Sequence, residues 1–385
     1  MRTSILRLKS RWSAVVKSAA IAVCVLVVTT CAGAEPTALK DAFKKEFLVG
    51  AALGTAQVMG DEPKSLELVA KQFNAISPEN LLKWQEVHPQ IDQYNFEPVD
   101  RFVAFGERNG MHMLGHNLVW HNQTPASVFE DEAGKPVTRE VLLQRLRDHI
   151  REVVGRYKGR IDSWDVVNEA VEEDGTLRKT KWQQIIGDDY LLKAFQFAQE
   201  ADPRAELYYN DYNEWQPAKR QGIKQLVRDL QAKGARIDGL GLQGHWGLTY
   251  PSAEEIETMF ADYGDLGVKL MITELDVTVL PDAQQSRGAD ITRNESRRKE
   301  LDPYAGGLPP DIQKQLAERY AEIFRLFVKH ADKIDRVTFW GVHDGHSWRN
   351  DWPMRGRHDH ALLFDRQFKP KSAFEAVLET AAGQR

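Results

Sequence analysis

Two glutamates close short apolar runs and are the residues best placed to do chemistry. One ends Ser163-Trp164-Asp165-Val166-Val167-Asn168-Glu169; the other ends Leu270-Met271-Ile272-Thr273-Glu274, about a hundred residues later. Such a run is the pattern of a buried parallel strand, and a carboxylate at its end is carried out of the sheet into a pocket. Glycoside hydrolysis needs two facing carboxyl groups: one protonates the leaving oxygen and the other meets the positive charge developing on the sugar. Direct attack on the anomeric carbon, with retention, asks for a separation of about 5 to 5.5 Å, whereas a wider gap holding a water gives inversion. The acid must keep its proton near neutrality, which a less polar or negatively charged surround ensures; the nucleophile must be ionised and wants hydrogen-bond donors.

The elements that would position such a pair are legible as alternation. Apolar runs at residues 47–52, 73–76, 111–115, 161–167, 206–209, 237–242, 268–272 and 336–341 are separated by segments of helical periodicity. Eight strands alternating with helices predict a single-domain α/β fold, a (β/α)8 TIM barrel. Thr138 reads as the N-cap of a helix over 139–154, Ser252-Ala253-Glu254-Glu255 as a capping box, and Asp311 as the cap of a helix over 312–329. With a last helix near 372–380, no appended sugar-binding module is expected. Residues 281–310, rich in Arg, Asp, Gly and Pro, lack periodicity; a loop that long after the Glu274 strand is expected either to wall the cleft or to be a solvated insertion.

Composition narrows the function classes. Forty-two per cent hydrophobic and 28% charged residues exclude a disordered or fibrous chain. Residues 1–34 read as a secretory signal peptide: Arg2, Arg7, Lys9, Arg11 and Lys17, then the apolar run 19–28, then Ala32-Gly33-Ala34 as the cleavage site. That run is shorter than the roughly 20 residues that span a bilayer. The expectation is an exported protein, secreted or periplasmic, whose catalytic domain is 35–385 and whose mature chain meets no membrane unless Cys31 is lipidated. Cys24 and Cys31 are the only cysteines, so cleavage leaves no disulfide, thiol nucleophile or thiolate zinc site. Cleavage also removes five basic and no acidic residues, taking the formal net charge from −5 to −10. An acidic exported chain is a poor partner for nucleic acid. A monomer is expected.

In barrels of this type the C-terminal strand ends do the chemistry, and here they are polar. After successive strands come Glu79-Asn80-Leu81-Leu82-Lys83-Trp84, Gly115-His116-Asn117-Leu118-Val119-Trp120-His121, Asn168-Glu169, Asn210-Asp211-Tyr212-Asn213, Leu242-Gln243-Gly244-His245, Glu274-Leu275-Asp276 and the segment from Trp340 to Trp348. With Trp164-Asp165-Val166-Val167-Asn168-Glu169 and Ile272-Thr273-Glu274-Leu275-Asp276 in that order, the chain resembles the family 10 glycoside hydrolases, retaining endo-β-1,4-xylanases. The resemblance implies that Glu169 is the acid/base and Glu274 the nucleophile, with His245 donating to Glu274 and Asn168 contacting the 2-hydroxyl of the sugar at the cleavage point. It implies hydroxyl binding by Glu79, Asn80 and Lys83, a pocket completed by His116, Trp120 and Gln243, ring contacts from Trp340 and Trp348, and a cleft position for Tyr212. The partners implied are xylan and xylo-oligosaccharides; no cofactor is implied.

Three rival readings stay open on the residues alone. His116 with His121, His343 with His346, and Arg357-His358-Asp359-His360 would serve a metal-dependent barrel hydrolase, although no familiar ligand spacing such as H-E-x-x-H is present. A barrel that binds polysaccharide without cutting it would need the tryptophans but neither glutamate. A cellulase or mannanase would use the same chemistry, and the hydroxymethyl group that distinguishes glucose from xylose is worth only a few kcal/mol of discrimination.

Overall fold

The computed structural model describes residues 38–281 and 299–382. Nine strand segments form the sheet: β1 Leu48–Leu53, β2 Ala75–Pro78, β3 His112–Val119, β4 Ser163–Asn168, β5 Glu206–Asp211, β6 Gly239–Leu242, β7 His245–Gly247, β8 Lys269–Thr278 and β9 Ile334–Phe339. All pairings are parallel. Each strand from β1 to β5 joins the next, β6 joins β8, β8 joins β9, and β9 returns to β1, so the sheet closes. β6 and β7 are two pieces of one stave, interrupted at Gln243-Gly244, and the ring therefore has the eight staves of the expected (β/α)8 barrel. Gly244 takes a φ of 77° at the break, a left-handed conformation in which a Cβ would be strained.

The barrel forms because these strands are apolar on both faces. Trp164 and Val166 on β4, and Ile272 on β8, belong to one continuous buried core. On the other side of the pleat Leu114, Tyr208 and Met271 make a small separate cluster, the filled interior expected of a barrel rather than a pore. Lower down, Arg336 of β9 is buried, donates to Ser163 of β4 at 3.4 Å and lies 5.8 Å from the ring of Tyr208. No helix among the described residues is long and apolar enough to cross a membrane.

Local expectations are met and corrected in instructive places. Thr138 caps the helix Arg139–Arg156 by accepting from Val141 N, and Ser252 with Glu255 forms a reciprocal capping box on Ala253–Gly264. Asp311 is not a cap. The helix starts at Pro310 with Pro309 as its N-cap, leaving Asp311 in the first turn, where its charge still suits the helix dipole. The second strand is shifted two residues on, because the N–H of Phe73 is spent closing the preceding helix on Val69 O. The third and seventh strands run further than their apolar runs: His116 lies within β3, and Glu274 and Asp276 lie within β8, where β7 pairs with Asp276–Thr278. Most of the 281–310 segment, residues 282–298, lies outside the described residues, as does the whole leader 1–34; from Lys299 the chain resumes with a short 3-10 turn and a buried Leu301.

Candidate active site

Twelve of the thirteen expected site residues line one trough at the C-terminal ends of the strands: Glu79, Asn80, Lys83, His116, Trp120, Asn168, Glu169, Gln243, His245, Glu274, Trp340 and Trp348. The thirteenth, Tyr212, is buried beside it and not on its wall; its hydroxyl accepts from Arg178 at 3.2 Å and Lys219 sits 3.5 Å over its ring. Gln123, not singled out from the sequence, also lines the trough and reaches Asn80 Oδ1 at 3.4 Å.

The two glutamates are joined by side-chain amides. Asn210, at the end of β5, donates to Glu274 Oε1 at 2.8 Å and to Asn168 Oδ1 at 2.9 Å, and Asn168 donates to Glu169 Oε1 at 3.2 Å. Thr273 Oγ1 donates to Asn210 Oδ1 at 2.7 Å, which fixes the flip of that amide. Room for it comes from Gly241 on the neighbouring strand, where a Cβ would stand 2.3 Å from Asn210 Oδ1.

The environments of the two carboxyls differ in the sense the chemistry requires. Glu169 is pushed up from the ordinary range by burial, with the negative charges of Asp211 and Glu274 adding to it; hydrogen bonds from Gln243 (3.0 Å) and Trp120 Nε1 (2.8 Å) offset only part. Burial would also raise Glu274, but the His245 hydrogen bond and the positive charges of His116, His245 and Lys83 outweigh it and hold the carboxyl below its usual value. His245 bridges Glu274 Oε2 (3.2 Å) and Asp276 Oδ2 (3.1 Å). Burial alone would lower His245, yet Asp276 and Glu274 together bring it up to about 9, so the imidazolium donates to both.

Glu169 itself has a φ of 58°, uncommon for a residue with a side chain. Its N–H donates to Asn210 O at 2.8 Å and its carbonyl accepts from Arg178 Nε at 3.1 Å, so both peptide groups are held. The neighbouring wall is equally braced: His116 Nδ1 meets Asp165 Oδ2 at 2.8 Å, Trp340 stands edge-on to His116 at 5.2 Å, and Trp348 Nε1 donates to Asp276 Oδ2 at 2.7 Å. At the far end Lys83 Nζ donates to Asn80 Oδ1 at 3.0 Å and lies 4.8 Å over the ring of Trp120.

The histidine pairs considered for metal do not meet in the trough. His358 turns to Asp302, and Asp359 is taken by Thr278 Oγ1 at 2.5 Å. Among the described residues one set of three metal-ligand side chains converges, Glu62, His343 and His346, and none of these lines the trough. Asn210, Asp276 and Gln123 are the functional residues that the motif reading left unassigned; for Asp276 a signal existed, since i and i+2 on a strand share a face.

Residues 38–380 match the model of glycosyl hydrolase family 10. Among characterised relatives, endo-1,4-beta-xylanase A of Xylanibacter ruminicola is 44% identical over 354 residues, 92% of this chain and 96% of that protein. A GH10 endoxylanase retrieved from a sugarcane soil metagenome superposes with a TM-score of 0.87 at 45% identity, covering 89% of this chain and 99% of the other. A mutant structure in complex with xylotriose, 36% identical, superposes with a TM-score of 0.79, covering 89% and 100%. The same closed barrel, the same order of strand-end motifs and a match along almost the whole described chain have one reading: this protein belongs to glycosyl hydrolase family 10 and is a glycoside hydrolase.

Proposed function

We propose that the protein is an endo-β-1,4-xylanase that hydrolyses internal bonds of xylan with retention of anomeric configuration. The observation that carries this reading is the opposed proton affinity of Glu169 and Glu274 on one trough, with Asn168 and Asn210 bonded between them. In the first step Glu274 attacks the anomeric carbon while Glu169 gives its proton to the departing glycosidic oxygen. The nucleophile's charge disappears on glycosylation, so Glu169 loses a neighbour that raised it and then takes a proton from the incoming water. Asn168, which lines the trough and donates to Glu169, is the residue assigned to hold the 2-hydroxyl of that sugar.

Xylan is favoured over glucan by the fixed position of Trp348, whose hydrogen bond to Asp276 keeps its ring beside His245, 4.9 Å between ring centres. Xylose lacks the hydroxymethyl group that such a wall would meet. The relatives named xylanases and the xylotriose-bound structure point the same way. Parallel assays on xylan, carboxymethylcellulose and mannan test the substrate, and proton NMR of the first product from a xylo-oligosaccharide tests the stereochemistry. Release of β anomer from xylan is expected; an α anomer, or cleavage of cellulose or mannan in preference to xylan, overturns the reading. Export follows from residues 1–34 as a secretory leader, and a mature N-terminus at Glu35 is the result expected from sequencing the exported protein.

A further inference from the structure

Outside the trough, three side chains from distant parts of the chain meet at one point. Glu62 lies between the helices Thr55–Met59 and Pro63–Gln72 in the connection after β1, and His343 and His346 lie in the loop after β9. Their ligand atoms all fall within 4.8 Å of one another. His343 Nε2 is 3.3 Å from Glu62 Oε1 and 3.1 Å from Oε2, and His346 Nε2 is 3.0 Å from Oε1. A tetrahedral ion with bonds of about 2.0 to 2.1 Å keeps its ligands about 3.3 Å apart. We propose that Glu62, His343 and His346 form a binding site for a borderline divalent cation of the zinc type, one that braces the fold and takes no part in hydrolysis.

The surroundings suit a site of this kind. Glu62 Oε2 accepts from Ser65 Oγ and, at 3.3 Å, from Gln57 Nε2, so the carboxylate is held from behind with both oxygens still within reach of an imidazole. Ligands held from behind in this way are pre-oriented. His343 is buried against the ring of Phe368, 4.4 Å away, whereas His346 is 41% exposed and leaves a face open for a water as fourth ligand. Two imidazoles and one carboxylate select zinc, nickel or copper over calcium and magnesium, which need a shell of oxygens. Coordination through Nε2 moves the His343 ring proton to Nδ1, where Gly345 N–H now donates at 3.1 Å. One neutral hydrogen bond is therefore given up, and the peptide that must turn belongs to a glycine.

An ion here would tie the loop after β1 to the loop after β9, which carries Trp348 on the trough wall. The test uses tag-free protein stripped with chelator and then given zinc. One zinc per chain retained through gel filtration, with a Tm raised by about 5 °C or more at saturating zinc, is expected. His346→Ala, at an exposed position that should not disturb folding, and Glu62→Gln should lose both effects while hydrolysing xylan at the wild-type rate without metal. Substoichiometric zinc, an unchanged Tm, or zinc retained undiminished in both variants would overturn the proposal.

Discussion

Glu274 and Asp276, two residues apart on β8, hold the two nitrogens of a single imidazole between them. His245 is the group so held, and Asp276 is in turn fixed by Arg349 Nε and Trp348 Nε1, each at 2.7 Å. The strand's twofold periodicity puts both carboxylates on one face, and the short β7 segment supplies the histidine from the adjacent stave. The nucleophile is kept ionised by a cation that a second carboxylate keeps charged.

Asp276→Asn should weaken that cation. His245 then binds its proton less tightly, Glu274 loses part of the opposing charge, and its pKa rises. The acidic limb of the kcat/KM profile should move to higher pH, and kcat should fall by about 10- to 100-fold, the worth of one charge-assisted hydrogen bond. An acidic limb that stays in place would refute the relay.

The basic limb belongs to Glu169. Because its pKa is raised in the folded enzyme, activity persists through the pH range in which an ordinary carboxyl has ionised, and falls as pH rises through that elevated value; on the other side it falls as pH drops through the lowered value of Glu274. Glu169→Ala should abolish the basic limb and cost about 10²- to 10⁴-fold on xylan. With a dinitrophenyl xylobioside, whose leaving group needs no proton, the burst of dinitrophenol should be nearly retained.

Arg178 acts on Glu169 through its backbone. Replacing it by Met removes the donor to the Glu169 carbonyl and the bond to Tyr212, freeing a residue held at positive φ. Expected is a kcat lower by about tenfold with KM nearly unchanged, together with a normal circular dichroism spectrum. A raised KM at unchanged kcat would instead mark Arg178 as a substrate contact.

Glu214 is buried with both carboxylate oxygens unpartnered, and burial raises it to about 7. Its contribution to stability is complete below the unfolded carboxyl value and is lost as pH rises through about 7. Glu214→Gln should remove this penalty, stabilising the protein at pH 8 by on the order of 3 kcal/mol and leaving it little changed at pH 4.5. Thermal melts at the two pH values distinguish the outcomes.

The sequence carried the barrel and most of the trough for one physical reason. Strands of a closed barrel are apolar on both faces, so the polar residues that follow them, such as Glu79-Asn80 and Asn168-Glu169, stand out sharply. Strand ends were harder to read: His116, Glu274 and Asp276 are polar yet lie inside β3 and β8, because hydrogen-bond pairing with neighbouring strands decides where a strand ends, whatever the hydropathy. The roles of Asn210, visible only as part of a polar strand end, and of Gln123 were hidden for a related reason. They come from a neighbour across space, Glu274 or Asn80, which the residues' own segments do not show. Tyr212, expected in the cleft, is buried and bonded to Arg178, a contact across space that its own segment does not show. The meeting of Glu62 with His343 and His346 joins positions 281 residues apart or more, a closeness that only ring closure creates.

That closure has one more result. The helix at Leu39–Ala42 touches the helix at Ser372–Ala382, so the two ends of the described chain are neighbours. A short peptide linking them would make a permuted protein that begins instead at the exposed turn 131–135, whose backbone serves only its own hydrogen bonds. In a ring of staves no stave is first, and the same pocket should assemble from a chain read from a different starting point.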